Sequence, residues 1–114
     1  MHWEKSPPEL VEGFAAVLAR YPMAEQRKMF GYPAAFANGQ MFTGLHERRW
    51  VVRLPDEARI ELLAMDGAAP FEPMPGRPMK EYVVFPPAIV ADLDALQTWI
   101  GRALAYVAAL PPKR

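Results

Sequence analysis

The sequence predicts an α+β domain in which helices cover one face of an antiparallel β-sheet. Apolar residues recur at helical spacing near both ends of the 114 residues and at strand spacing between them. The dipeptide Asn38-Gly39, a strong signal for a two-residue type I′ turn, joins two predicted strands. Short hairpins make neighbouring strands antiparallel. We therefore expect a two-layer α/β sandwich of about five strands with three helices on one face, in the order α-β-β-β-β-α-β-β-α.

The first helix is predicted to begin just after Ser6. Ser6 is a candidate N-cap, Glu9 completes a capping box with it, and Pro7 suits the first helical position. The apolar stripe of this helix consists of Leu10, Phe14, Val17 and Leu18. Tyr21-Pro22 ends the helix, because proline cannot continue its hydrogen bonds.

Four strands are predicted next, over residues 26–30, 33–37, 40–45 and 50–54. With a four-residue loop between the last two, alternation places bulky apolar side chains on one inner face. This inner set is Phe36, Met41, Thr43, Leu45, Trp50, Val52 and Leu54. The outer face then carries Ala35, Phe42, Gly44, Val51 and Arg53. We prefer this register because it turns the charged Arg53 outward.

The second half of the chain supplies the remaining elements. A second helix is predicted over residues 55–65, a short edge strand over 71–74 and a last strand over 80–85. Asp92 is a plausible cap for a final amphipathic helix, which Pro111-Pro112 stops. No linker or repeat divides the chain, so residues 1–114 are expected to form a single domain.

Composition limits the compartment and the partners. The 13 basic and 13 acidic residues give a net charge of zero, whereas nucleic-acid binders usually carry a basic surplus. Nucleic acid is therefore not an expected partner. The sequence has no cysteine, no apolar signal segment at its start and no run long enough to cross a bilayer. We expect a cytoplasmic protein that does not engage membranes.

No grouping of residues predicts catalysis, a cofactor or a metal ion. The two histidines, His2 and His46, lack the spacing of a metal site on one helix face. Ser6 is the only serine, its predicted capping role accounts for it, and no cysteine is available as a nucleophile. We therefore expect a protein that is not an enzyme.

The outer sheet face predicts a surface for a protein partner. Its predicted residues, Ala35, Phe42, Gly44, Val51 and Arg53, are mostly apolar or small. An uncovered apolar face commonly marks an interaction site. The partner cannot be named from the sequence, and a homodimer formed through this open face is one hypothesis.

A succession of motifs resembles the N-terminal domain of the TfoX (Sxy) family of competence regulators. The most specific part is Met29-Phe30-Gly31 followed by the Asn38-Gly39 hairpin. Similar motifs continue at Met41-Phe42, at residues 50–54 and at Leu96 and Trp99 in the closing helix. The resemblance covers about Leu10 to Leu110. In place of the second glycine that is common after the Met-Phe-Gly element, this chain has Tyr32.

The resemblance implies a two-layer α/β fold with an antiparallel sheet and a bacterial regulatory role. Members of the family promote transcription of competence genes together with a cyclic-AMP receptor protein. The chain ends with the domain, so the C-terminal domain of full-length regulators is not expected. The family has no established active site, so the resemblance implies no catalytic residues. The leading hypothesis is a non-catalytic protein-interaction or regulatory module.

Two alternative functions remain open at this point. A nucleic-acid-binding domain would need its basic residues to cluster in space; the candidates are Arg27, Lys28, Arg48, Arg49 and Arg53. A small-molecule-binding protein, or an unrecognised enzyme, would need a pocket near Trp50, Tyr82 and the loop at 75–78.

Overall fold

The computed structural model of the protein describes residues 4–112. His2 lies outside the described residues. The first half of the chain contains α1 (Pro8–Leu18), β1 (Glu25–Met29), β2 (Tyr32–Ala37), β3 (Gln40–His46) and β4 (Arg49–Arg53). The second half contains α2 (Asp56–Leu63), β5 (Ala69–Pro70), β6 (Tyr82–Val84), α3 (Pro87–Val90) and α4 (Leu93–Ala108). None of the helices in this described part is both long and apolar enough to cross a membrane.

One antiparallel sheet contains all six strands, in the order β1-β2-β3-β4-β6-β5. The predicted α+β class and the antiparallel sheet are therefore confirmed. The predicted edge strand at 71–74 is wrong in position, because β5 is formed by Ala69–Pro70. The short α3 adds a fourth helix to the predicted three.

Two-residue turns join the first four strands. Asn38 and Gly39 both have positive φ, 53° and 74°, as a type I′ turn requires. Phe30 and Gly31 make a similar turn between β1 and β2, with φ of 56° and 83°. The β3–β4 turn also has two residues instead of the predicted four, yet the predicted pairing of Leu45 with Trp50 is unchanged.

A β-bulge at Phe42 corrects the predicted assignment of residues to the two faces. Ala35 pairs with Thr43 but Phe36 pairs with Met41, so Phe42 has no partner in β2. An extra residue inverts the alternation on one side of a bulge. Ala35 and Phe42, predicted for the outer face, therefore lie in the core beneath the helices. Phe36 and Met41, predicted for the inner face, lie on the opposite side.

The main core lies between the sheet and the helices. Its helical members are Phe14, Val17, Leu18, Ala58, Leu62, Ile89, Leu96, Trp99, Ile100, Ala103 and Val107. All four helices contribute to this cluster, so all four cover the same face of the sheet. Trp50 donates its indole N–H to Thr43 Oγ1 at 2.9 Å, and Thr43 donates to the Val51 carbonyl at 2.7 Å, which satisfies these buried polar groups.

The opposite face of the sheet is covered as well. Residues 71–79, which we call the strap, pack on it through Phe71 and Met79. Phe71 belongs to the same buried cluster as Ala34 and Val51. Val51 is 1% exposed, so the middle of the face that the sequence predicted to be open is not accessible.

One of the two helix caps predicted from the sequence is confirmed. The Asp92 carboxylate accepts a hydrogen bond from the Ala95 N–H at 3.2 Å, as predicted for an N-cap. Ser6 does not cap α1; Pro7 occupies the N-cap position without a side-chain bond. The Ser6 hydroxyl instead donates to the Glu47 carbonyl at 2.6 Å and so ties the start of the chain to the β3–β4 turn.

We predict that Phe42→Ala lowers the free energy of unfolding by about 3–5 kcal/mol, because it leaves a cavity in a closed core. Urea denaturation followed by circular dichroism measures this change. Ile60→Ala is the matched control: Ile60 is 71% exposed on α2, and its truncation should change stability by less than about 0.5 kcal/mol. Equal changes in the free energy of unfolding for the two variants would contradict the burial of Phe42 in the core, and with it the bulge.

Candidate functional site

A groove of about 440 Å³ opens on the sheet face opposite the helices. We call it the methionine groove. Its lining residues are Met29, Phe36, Gly39, Gln40, Met41, Arg53, Met79, Lys80, Tyr82 and Pro111. Its surface is a little more apolar than polar: three methionines and two aromatic rings contribute apolar area, and an arginine and a lysine add positive charge. Binding sites commonly combine an apolar surface with a few polar groups in this way.

The fold brings the three methionines together from distant parts of the chain. Met29 ends β1, Met41 follows the start of β3, and Met79 lies at the end of the strap. The bulge turns Met41 towards this face. Gly44 leaves room for it, because a Cβ at that position would lie 3.3 Å from the Met41 sulfur. Tyr82 donates its hydroxyl to the Met41 carbonyl at 2.8 Å and fixes this part of the groove.

An ion-pair network forms one wall of the groove. Arg53 donates from Nε to Glu81 Oε1 at 2.8 Å and from Nη1 to Gln40 Oε1 at 2.9 Å. Tyr106, on α4, donates its hydroxyl to Glu81 Oε2 at 2.9 Å. Arg59, on α2, has its Nη1 at 3.9 Å from the same oxygen. The network therefore joins the groove wall to two helices.

Glu81 is at the centre of this network of charges, and its backbone conformation is unusual. Burial alone would raise the pKa of Glu81, but hydrogen bonds from Arg53 and Tyr106 and the nearby positive charges hold it below its usual value. Its φ of 74° is uncommon for a residue other than glycine. The Glu81 carbonyl accepts from the Leu54 N–H at 2.9 Å. Contacts of both the side chain and the main chain thus hold this conformation in place.

The charge that remains available in the groove is positive. Arg53 is neutralised by Glu81. Lys80 is exposed and forms no ion pair with any residue between 4 and 112. A ligand with a negative group next to an apolar group would match this arrangement.

The structure separates the five residues that the sequence placed on one partner surface. Arg53 lines the groove, while Gly44 and Val51 lie on the same face but are packed inside it. Ala35 and Phe42 lie on the other side of the sheet. Of the family motif, Met29 lines the groove, Phe30 is half exposed in the turn, and Gly31 provides the positive φ of that turn.

Sequence reasoning did not find Met41, Met79 or Lys80 as groove residues. The signal that was present is the count of seven methionines, interpreted only as core filling. Their meeting on one face depends on the bulge and on the path of the strap.

The basic residues suggested for a nucleic-acid surface are distributed, and four of the five are paired with carboxylates; the fifth, Lys28, is exposed on β1. Those paired with carboxylates are Arg27 at 2.5 Å, Arg48 at 4.0 Å, Arg49 at 2.5 Å and Arg53 at 2.8 Å. They lie on the edge strand, at the β3–β4 turn and at the far end of β4. This arrangement does not form the continuous basic patch that phosphate binding favours.

The residues suggested for a small-molecule pocket or for catalysis also lie apart. Trp50 is in the helix-side core, whereas Tyr82 packs on the other face of the sheet. The Ser6 hydroxyl is bonded to a main-chain carbonyl. Within residues 4–112, no three His, Asp or Glu side chains are grouped so that they could hold a metal ion.

His46 is buried among aromatic rings. Its ring centroid lies 5.1 Å from that of Tyr32 and 5.4 Å from that of Phe71. Only 1% of the residue is exposed. Burial lowers the pKa of His46, and Arg49 lowers it further, against an opposing effect of Glu47.

We predict that stability decreases as the pH is lowered through about 6.5, where His46 of the unfolded chain takes up a proton that the folded chain does not. The loss of stability is absent above this pH. It grows as the pH falls, until the pH reaches the lowered pKa that His46 has in the folded protein. Urea unfolding between about pH 7.5 and pH 5 measures it. His46→Phe removes the titrating group and should flatten this part of the profile; an unchanged slope in that variant would contradict the prediction.

Comparison with known proteins identifies the family. The family model of the TfoX N-terminal domain matches residues 16–107 of the 114-residue chain. Searches of curated proteins and of solved structures returned no significant match. The matched range extends from the last turn of α1 to the last turn of α4 and includes all six strands of the described structure. The chain therefore belongs to the TfoX N-terminal domain family.

Proposed function

We propose that this protein is a non-catalytic interaction module that binds an apolar segment of a partner protein in the methionine groove. The observation that carries the proposal is the convergence of Met29, Met41 and Met79 next to the Arg53–Glu81 network. Methionine side chains are flexible and polarisable, so surfaces rich in them adapt to different apolar partners.

The charge of the groove suggests the partner's chemistry. Lys80 is exposed at the groove without an intramolecular carboxylate partner among the described residues. A partner segment with an apolar anchor and an adjacent Asp or Glu would fill the groove and pair with this ammonium group. Electrostatic complementarity of this kind mainly supplies specificity and fast association.

A regulatory role is part of the proposal and rests on membership in the TfoX N-terminal domain family. The likeness to competence regulators supports a bacterial, cytoplasmic module that acts through binding. Two observations favour binding of a protein segment over the alternatives. The five suggested basic residues are dispersed and four of them are paired with carboxylates, and Trp50 and Tyr82 lie on opposite sheet faces.

We predict that peptides selected against the folded domain from a random display library share an apolar anchor flanked by acidic residues. Fluorescence anisotropy with one selected peptide then measures the effect of two groove variants. Lys80→Glu should weaken binding about tenfold, because it replaces attraction with repulsion. Met79→Ala should weaken binding by a similar factor, because it removes apolar contact area.

Arg77→Glu is the matched control for the charge reversal. Arg77 is exposed in the strap but does not line the groove, so this variant should bind like the original protein. Thermal unfolding by circular dichroism shows whether each variant is folded. Selected peptides whose affinity is unaffected by both groove variants would overturn the proposal.

A further inference from the structure

The edge strand β1 has free hydrogen-bonding capacity along one side. Within residues 4–112 it is the outermost strand of the sheet and pairs only with β2. In a hairpin closed by a two-residue turn, the pair that flanks the turn, Met29 with Tyr32, exchanges main-chain hydrogen bonds, and every second pair follows. The N–H and C=O groups of Gln26 and Lys28 therefore point away from β2. Pro33, which has no N–H, lies opposite Lys28 in agreement with this assignment.

The side chains of β1 are exposed along almost its whole length. Its first four residues are exposed, and only Met29 is partly buried. Met23, two residues before the strand, is 67% exposed, a high value for a large apolar side chain. Charged residues on an edge strand commonly prevent association. Here Glu25 and Arg27, which lie on the same face, carry opposite charges, and this permits one particular association.

Antiparallel pairing of β1 with β1 of a second copy matches these charges. Glu25 and Arg27 lie two residues apart, on the same face, and pair with each other at 2.5 Å within the chain. A two-fold axis through Gln26 places Glu25 of each copy opposite Arg27 of the other. Opposite charges at directly facing positions stabilise a sheet. An axis through Arg27 would instead place two arginines face to face.

The same register uses the free main-chain groups of the edge strand. The two Gln26 residues exchange main-chain hydrogen bonds at the centre. The opposite charges of Glu25 and Arg27 and the unpaired edge therefore favour the register centred on Gln26 over one centred on Arg27.

We propose that a second copy of this chain binds at β1, in antiparallel order and centred on Gln26, so that one sheet continues through both copies. A two-fold axis perpendicular to the sheet keeps each face on the same side in both copies. Both methionine grooves then open on the same side of the extended sheet, and the pair can bind two segments of one partner.

Sedimentation equilibrium of the full chain between about 1 μM and about 1 mM tests the proposal. We expect a monomer–dimer equilibrium that Gln26→Pro abolishes. Proline at 26 removes a main-chain N–H that faces away from β2, so the fold should persist. Gln26→Thr, which retains the N–H, is the matched control and should still dimerise. Circular dichroism shows whether each variant is folded.

Charge exchange tests the register. Glu25→Arg and Arg27→Glu should each weaken the dimer about tenfold, because each places like charges opposite one another, and the double exchange should restore it. A monomer at every concentration, a dimer insensitive to Gln26→Pro, or a double exchange that fails to restore pairing would each overturn the proposal. These measurements need no peptide, so their outcome is separate from that of the groove experiments.

Discussion

The β-bulge at Phe42 is the constraint on which the arrangement of the sheet depends. Because β3 carries one extra residue there, the alternation of its side chains between the two faces of the sheet is inverted on one side of the bulge. Phe42 fills the core, and Phe36 and Met41 turn to the other face. Regular pairing would have placed Phe36 and Met41 beneath the helices and Phe42 on the opposite face, and the groove would have lost two of its lining residues. The packing of the core and the lining of the groove therefore both depend on this one extra residue in β3.

The network around Glu81 holds the polar wall of the groove in place. Its carboxylate accepts hydrogen bonds from Arg53 and Tyr106, which lie on β4 and α4. A residue other than glycine at φ 74° costs energy, and such conformations persist where several contacts determine them. The groove therefore combines a fixed polar wall with the buried Met41 and the partly exposed Met29 and Met79. That combination suits a surface that holds one orientation of a partner while adapting to its apolar residues.

The two proposed interactions share one strand but use different chemistry. The methionine groove lies on the face of the sheet, where apolar area and the Lys80 charge are available. The β1 edge offers main-chain groups and the alternating charges of Glu25 and Arg27. Met29 contributes to both, because it ends β1 and lines the groove.

The sequence by itself determined the features that depend on near neighbours: the order of helices and strands, the Asn38-Gly39 turn, the Asp92 cap and the pairing of Leu45 with Trp50. Periodicity and turn preference act over a few residues, so they can be read locally. Only the tertiary structure decided the bulge, the strap over the second sheet face and the bond from Ser6 to Glu47. Each depends on contacts between groups far apart in the chain, which periodicity and turn preference over a few residues do not report.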